Sequence, residues 1–151
     1  MTLNSRLFIT IEIKAGQVIE VGDYGGGGQR RHIALDGGHF QGAINGKVLP
    51  GGGDWQTVAP DGSIEIGAHY PIETDEGHRI EVQSSGLRTA PPEVMARLAA
   101  GEVVDQNLYY FRTALRFRTG VPQLAHLNKM LTVGVGERLP GLVRLKIYEV
   151  L

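Results

Sequence analysis

The stretch "SIEIGAHYPIET", Ser63–Thr74, decides the fold of this chain. Every second residue in it is apolar or aromatic: Ile64, Ile66, Ala68, Tyr70 and Ile72. Because successive side chains of a strand point to opposite faces, this period of two predicts a strand with one buried face. The tripeptides "PDG" before it and "DEG" after it are typical of tight turns. We therefore expect the strand to join its neighbours in antiparallel hairpins.

The same alternation recurs on both sides of this stretch. It begins with Leu7, Ile9, Ile11 and Ile13 and continues through "HRIEVQSS", "NLYYFRTALRFRT", "HLNKMLTVGVGE" and "VRLKIYEVL". The pattern indicates about eight to ten strands. A sheet of that many strands must curl or close to hide its edges. We therefore predict a single all-β domain over residues 1–151, an antiparallel β-barrel, with a closely packed sandwich as the alternative.

One segment departs from the alternation. "APPEVMARLAAGE" has two prolines where the first turn of a helix tolerates them, then Val94, Met95 and Leu98 at helical spacing. Gly101 ends the segment, as glycine commonly does after a helix. The segment predicts one short helix from about Pro92 to Ala100.

Composition excludes several function classes. The chain carries 15 Lys plus Arg against 16 Asp plus Glu, a formal charge of −1, which argues against nucleic acid or an anionic membrane as a partner. It has no Cys, so a thiol nucleophile, a zinc–thiolate site and a disulfide framework are excluded. The opening "MTLNSRLFITIEIKAG" lacks the continuous apolar core of a signal peptide, and a cytoplasmic location is expected.

Several longer motifs resemble a known family. They are "PGGGDWQ", "DGSIEIGAHYPIETDEGHRIEV", "YYFRT", "LNKMLTVGVGE" and the final "IYEVL", in that order from about Ile33 onward. Together they are similar to a widespread bacterial family of uncharacterised small β-barrel proteins, the domain of unknown function DUF3237 (UPF0311). The resemblance implies a compact antiparallel barrel, often oligomeric, with a cavity at the barrel mouth. It implies no particular activity.

Asp54 and Trp55 are the first candidate site residues. They follow the run Gly51–Gly53, whose backbone freedom permits a tight bend, and we expect both side chains to enter the cavity mouth. An apolar neighbour would raise the pKa of the Asp54 carboxyl toward the range useful for proton transfer. In the alternative interpretation, Asp54 only caps the turn and Trp55 plugs the end of the barrel.

The sequence "YYFRT" supplies two further candidates. Tyr110 and Arg112 share one strand face, while Phe111, Leu115 and Phe117 share the other and are expected in the core. A Tyr hydroxyl and an Arg fork suit a carboxylate or a developing enolate if they face a cavity. If they face solvent instead, Arg112 pairs with a surface acid.

Tyr70, His126 and Asn128 are candidate ligand contacts. Tyr70 is in phase with the apolar face of its strand, and His126 and Asn128 are expected to share one strand face. Core packing would also explain Tyr70, and a lone histidine is more often structural. The other histidines show no metal-ligand spacing, so neither a metal nor a cofactor is predicted.

Two function classes remain for such a barrel. The first is a small enzyme, an isomerase, lyase or cyclase, that moves a proton in an apolar or aromatic carbonyl compound. In it Asp54 moves the proton while Tyr110 and Arg112 stabilise charge. The second is a non-catalytic barrel that binds or carries such a small ligand. Strand edges, and exposed apolar residues such as Leu115 and Phe117 near the basic stretch, also favour a homodimer or larger symmetric homo-oligomer.

Overall fold

The computed structural model describes the whole chain, Met1–Leu151. Its nine strands are β1 Ser5–Asp23, β2 Gln29–Gly42, β3 Gly46–Val48, β4 Gly52–Val58, β5 Ile64–Thr74, β6 Arg79–Thr89, β7 Tyr110–Arg118, β8 Thr132–Leu139 and β9 Leu142–Val150. The single α-helix, α1, spans Pro92–Ala99, and two 3₁₀ helices span Gln106–Leu108 and Pro122–Lys129. The predictions of strand number and of one short helix near Pro92 are confirmed.

The strands form one antiparallel sheet that closes on itself. The order is β1-β9-β8-β7-β6-β5-β3-β2, and β1 also pairs with β2 to complete the ring. The short strands β3 and β4 lie one beyond the other, since each pairs with a different part of both β2 and β5. Because the ring is closed, the sheet has no unpaired edge strands that another part of the chain would need to cover. The predicted antiparallel β-barrel is therefore confirmed.

The period of two decides which side chains enter the barrel. On β5 the residues Ile64, Ile66, Tyr70 and Ile72 are buried, as the alternation predicts. The same holds on β7 for Phe111, Leu115 and Phe117. The expectation that these are core residues is correct. Leu115 and Phe117 are therefore not exposed, and the oligomer argument that relied on their exposure is wrong.

The two ends of the barrel are built differently. At one end large apolar side chains fill the interior, and the 3₁₀ helix Pro122–Lys129 adds the fully buried Leu127. The rings of Phe8 and Phe117 meet edge to face there, with centroids 5.5 Å apart. At the other end α1 turns its buried face, Val94, Met95 and Leu98, toward the barrel. No helix of the structure is both long and apolar enough to cross a membrane.

Candidate functional site

A cavity of about 600 Å³ lies inside the barrel at the end where α1 packs. Met95 and Leu98 of α1, Gly62 of the β4–β5 turn and Gly141 of the β8–β9 turn all border it. Of its 30 lining residues 17 are hydrophobic, so the walls favour an apolar ligand body. We regard this cavity as the candidate site.

Small inward residues keep the middle of the barrel open. Ala68 pairs with Ser84 across β5 and β6, and Gly86 and Gly134 flank Thr113 on either side. A Cβ at position 134 would lie 2.5 Å from Oγ1 of Thr113, so glycine there gives space to the Thr113 side chain, which borders the cavity together with Ala68 and Ser84. The closed end, by contrast, is filled by Ile72, Val82 and Phe117. The cavity therefore results from residue size in successive layers of one barrel.

Asp54 lines the cavity from β4. Its Oδ2 accepts a hydrogen bond of 2.7 Å from Nε2 of Gln56, and its Oδ1 accepts one of 3.2 Å from the backbone N–H of Gly67. Burial raises the pKa of the Asp54 carboxyl above its ordinary value of 3.8, because an apolar environment disfavours the charged form. The two hydrogen bonds and the nearby charges of Arg88 and Arg31 oppose that rise.

Arg31 and Gln56 hold Asp54 in a hydrogen-bonded chain. Oε1 of Gln56 accepts two hydrogen bonds from Arg31, of 3.0 Å from Nε and 2.7 Å from Nη2. Because the amide oxygen is occupied in this way, the amide nitrogen of Gln56 is directed at Asp54. The carboxylate is thus held in one orientation by residues of β2 and β4.

Tyr70 enters the same cavity from β5. The residue is only 2% exposed, and its hydroxyl has no hydrogen-bond partner within the protein. Burial, with a smaller contribution from the charge of Asp54, raises the pKa of Tyr70 well above its ordinary value of 10.0. The hydroxyl therefore stays protonated and is available as a donor to a bound molecule.

Arg88 is the most unusual residue of the cavity wall. It is only 7% exposed, its Nε has no hydrogen-bond partner, and it takes part in none of the salt bridges of the protein. Its Cζ lies 5.7 Å from the ring centroid of Phe111. Burial, reinforced by the charges of Arg138 and Arg31, lowers the pKa of the guanidinium to about 10. It is therefore still a cation at neutral pH.

The cavity wall is positively charged as a whole. Arg31, Arg88 and Arg138 border it, whereas its carboxylates are Asp54 and the solvent-exposed Asp61 at the turn. No three His, Asp or Glu side chains lie together in positions that could hold a metal ion. The electrostatics of the wall therefore favour an anionic group on the ligand.

Two of the predicted site residues line the cavity, Asp54 and Tyr70. The expectation that Trp55 enters it beside Asp54 is wrong. Both residues belong to β4, so their side chains point to opposite faces of the sheet. Trp55 lies on the outer surface, 45% exposed, between Cζ of Arg30 at 5.3 Å and the ring of His32 at 4.7 Å.

The glycine run also has a different role from the one expected. Gly51 alone has a left-handed backbone, with φ of 102°. Gly52 and Gly53 are part of the strand, where a Cβ would lie 2.4 Å from Cβ of Tyr70 and 2.1 Å from Nε2 of His32, respectively. These two glycines allow the close approach of Tyr70 inside the barrel and of His32 outside it.

Tyr110 and Arg112 do not reach the cavity. Their strand, β7, turns Phe111 and Thr113 inward, so Tyr110 and Arg112 face outward. Tyr110 is 53% exposed, and Cζ of Arg112 lies 5.0 Å from its ring centroid. Nη1 of Arg112 donates to the carbonyl oxygen of Phe111 at 3.0 Å. The charge-stabilising role expected of this pair therefore has no basis in their position.

His126 and Asn128 lie at the closed end of the barrel. They belong to the 3₁₀ helix Pro122–Lys129, not to a strand, and Pro122 stands in its first turn, where proline favours helix. Asn128 accepts a hydrogen bond of 2.8 Å from the N–H of Thr119 and donates one of 2.9 Å to its carbonyl oxygen. His126 is exposed. Neither residue borders the cavity, so the expectation that they contact its ligand is wrong.

Seven polar residues of the cavity were missed by the sequence reasoning: Arg31, Gln56, Asp61, Ser84, Arg88, Thr113 and Arg138. A signal for Arg88 was present, because it is in phase with Ile80 and Val82 on the apolar face of β6. Gln56 similarly stands two residues from Asp54 on the same face of β4. A charged or amide residue in phase with buried aliphatic residues is therefore the pattern that identifies these positions.

Comparisons with known proteins agree with this architecture. A UPF0311 protein of Rhodopseudomonas palustris (strain TIE-1) is 40% identical over 151 residues, 99% of this chain and 98% of that protein. A crystal structure of a conserved protein of unknown function from Rhodopseudomonas palustris is 38% identical, with a TM-score of 0.93 over 100% of this chain and 99% of that one. A β-barrel-like protein from Acinetobacter baumannii is 32% identical, with a TM-score of 0.87 over 100% and 98%.

A more distant structure shares the fold alone. It is described as an enzyme from Penicillium herquei, is 21% identical, and has a TM-score of 0.73 over 100% of this chain and 96% of that one. The sequence itself matches a family described as "Protein of unknown function (DUF3237)" over residues 2–150. With nearly the whole chain matched and close barrel structures among its relatives, this protein belongs to the DUF3237 family.

Proposed function

We propose that the protein is a small acid–base enzyme, an isomerase, lyase or cyclase, acting on an apolar or aromatic carbonyl compound inside the barrel. Asp54 carries the proposal, because its carboxylate has a raised pKa within a largely apolar cavity that also holds the unpartnered hydroxyl of Tyr70. A base is most effective when its pKa approaches the working pH, and burial moves Asp54 in that direction.

The proposed step is a proton transfer next to a carbonyl group. Asp54 removes a proton from the carbon beside the carbonyl, the electron pair of the broken C–H bond forms a C=C bond, and the π electron pair of the carbonyl moves to its oxygen. The hydroxyl of Tyr70 donates a hydrogen bond to the enolate oxygen that forms. Return of the proton from Asp54 to a different carbon of the conjugated enolate completes an isomerisation. In a lyase, a group on the next carbon departs with its bonding electron pair as the carbonyl re-forms, and Asp54 returns the proton to it. In a cyclase, the enolate carbon attacks a second carbonyl carbon of the same ligand, and the oxygen of that carbonyl takes up the proton. The step is redox-neutral and needs no co-reactant.

The distant neighbour from Penicillium herquei adds limited support. Its description as an enzyme indicates that a barrel of this shape is compatible with catalysis in another protein. At 21% identity it supports the fold and not a reaction.

A second candidate function is a carrier barrel that encloses such a ligand without reacting with it. The favouring observation is that both oxygens of Asp54 already accept hydrogen bonds, from Gln56 and from Gly67. A carboxylate with two donors of its own explains its burial without a catalytic role.

Deuterium exchange separates the two functions without knowledge of the natural reaction. A panel of apolar and aromatic ketones is incubated with the protein in D₂O, and NMR follows exchange of the protons beside the carbonyl. The enzyme should accelerate exchange, and Asp54→Asn should reduce the acceleration by about 10²–10⁴. Asp61→Asn is the matched control, since Asp61 is exposed at the cavity border. Binding of ketones without any accelerated exchange would establish the carrier instead.

A further inference from the structure

We propose that the cavity contains a carboxylate-binding subsite built on Arg88, so that its natural ligand is a carboxylate with an apolar body. The proposal deepens the proposed function, on which the ligand's role as a substrate rests. Binding of the carboxylate is a separate property and is measured separately below.

A buried guanidinium normally has a partner. A charge withdrawn from water is costly unless it is paired, and Arg has five N–H donors to satisfy. Arg88 borders the cavity at 7% exposure, yet its Nε has no acceptor and no carboxylate of the protein lies within 4.0 Å of it. Because Arg88 borders the cavity, an anionic group bound there could pair with its guanidinium.

The surroundings of Arg88 hold its planar group in place. Phe111, its direct partner on β7, presents its ring 5.7 Å from Cζ of Arg88. That ring in turn occupies space that only glycine leaves free, because a Cβ at Gly136 would lie 2.5 Å from Cγ of Phe111. A guanidinium that lies over an aromatic ring can still donate two parallel hydrogen bonds from its edge to one carboxylate.

Charge and hydrogen bonding in the neighbourhood point to the same ligand group. Arg31 donates two of its five N–H groups, from Nε and Nη2, to Gln56, whereas Nε of Arg88 has no acceptor in the protein. Oγ1 of Thr113, two residues along β7 from Phe111, is a second buried polar atom without a partner. An anion on Arg88 would also relieve the repulsion among Arg31, Arg88 and Arg138.

A carboxylate fits this subsite better than a phosphate does. Phosphate groups are commonly held by backbone N–H groups at helix N-termini. Here two N–H groups in the first turn of α1, those of Val94 and Met95, donate to the carbonyl oxygen of Pro91. One planar fork among apolar walls matches the two oxygens of a carboxylate.

The barrel register places the subsite relative to Asp54. Arg88 pairs with Ile64, whereas Ala68, the partner of Asp54, pairs with Ser84. Four residues of strand separate these two positions on β6, about 13 Å along the backbone. Ile64 also lies next to the turn at the open end. The carboxylate of the ligand therefore lies closer to the open end of the barrel than Asp54 does. The apolar body of the ligand extends from there into the barrel, toward Tyr70.

Calorimetric titration of the full chain with three probes of equal length tests the subsite. The probes are decanoate, decanamide and decyl phosphate. We expect wild type to bind decanoate at least tenfold more tightly than decanamide, because a bidentate charged hydrogen bond is lost with the amide. Arg88→Met should weaken decanoate binding about thirtyfold and leave decanamide unchanged. Arg116→Met, the same change on the outer face of β7, should affect neither.

Every other result overturns the proposal. Equal binding of decanoate and decanamide, or no binding of either, removes the carboxylate subsite. Undiminished decanoate binding by Arg88→Met removes the role of Arg88. A preference of tenfold or more for decyl phosphate makes the subsite a phosphate site. Should Arg88→Met fail to fold by circular dichroism, Arg88→Lys replaces it, since Lys keeps the charge and loses the fork, and unaltered affinity then overturns the proposal.

The outcomes also separate this proposal from the proposed function. If decanoate binding depends on Arg88 but Asp54→Asn leaves exchange unchanged, the cavity is a carboxylate carrier. If exchange depends on Asp54 but decanoate shows no preference over decanamide, the enzyme acts on an uncharged carbonyl compound and the subsite is wrong.

Discussion

Nε2 of Gln56 donates a hydrogen bond of 2.7 Å to Oδ2 of Asp54, its neighbour on the inward face of β4. This bond stabilises the charged carboxylate and so lowers the pKa of Asp54 against the effect of burial. After burial, this hydrogen bond is the largest of the effects that decide at which pH Asp54 is ionised.

Gln56→Leu should therefore raise the pKa of Asp54 further. Asp54 acts as a base only when it is ionised, so catalysed exchange increases as the pH rises through its pKa. Loss of a hydrogen bond to a charged group should move that increase upward by about one pH unit. The measurement is the pH profile of kcat/KM for deuterium exchange. Gln83→Leu, whose amide accepts from Arg118 on the exposed surface, should leave the profile in place.

Tyr70→Phe tests whether the buried hydroxyl serves the ligand. No protein atom is hydrogen-bonded to this hydroxyl, so the free energy of unfolding of the variant should lie within about 1 kcal/mol of the wild-type value. Binding of ketones should weaken about tenfold, because their oxygen loses its donor. Urea unfolding and calorimetric titration measure the two effects.

Tyr109→Phe provides the opposite case for comparison. The hydroxyl of Tyr109 accepts a hydrogen bond of 2.8 Å from the N–H of Arg138. Its removal should lower the free energy of unfolding by about 1 kcal/mol. A large stability loss in Tyr70→Phe with unchanged ketone binding would contradict the role given to Tyr70.

Arg88→Met should increase the stability of the unliganded protein. The substitution replaces a buried, unpaired cation by an apolar side chain of similar length, which removes the cost of withdrawing the charge from water. We expect the free energy of unfolding in urea at pH 7 to rise by about 1 kcal/mol or more. Arg116→Met on the exposed face should change it by less than about 0.5 kcal/mol. A less stable Arg88→Met would indicate that Arg88 has a structural role.

Asn128→Ala should destabilise the protein without affecting the cavity. It removes the two hydrogen bonds to the backbone of Thr119, each worth about 1 kcal/mol. Chemical unfolding should show the loss, while decanoate binding stays at the wild-type value. The exposed His126 serves as the control, since His126→Ala should change neither quantity. Weakened decanoate binding in either variant would indicate that the substituted residue contacts the ligand, which would contradict its position outside the cavity.

The alternation of apolar residues was sufficient to predict most of the fold. Ile64 to Ile72 identified β5, and the same period identified the strands around it, because side-chain direction in a strand depends only on position along the chain. The helix at Pro92 was equally local, since its prolines and apolar spacing lie within a few residues. The prediction of a strand around His126 is wrong, because a short alternating run of residues is compatible with both a strand and a 3₁₀ helix.

The candidate site depended on relations that no local pattern contains. The sequence is sufficient to propose Asp54 and Tyr70 as buried polar residues. It does not show that Gly52 and Gly53 belong to β4, and this strand conformation turns Trp55 away from the cavity. Arg31, Arg88 and Arg138 come from β2, β6 and β8, and only closure of the barrel brings them to one cavity. Each strand determines which face a side chain takes, whereas strand pairing and ring closure determine which side chains of different strands meet. The sequence therefore determined the inward direction of Arg88, and only the tertiary structure placed it in a wall where no protein carboxylate is close enough to pair with it.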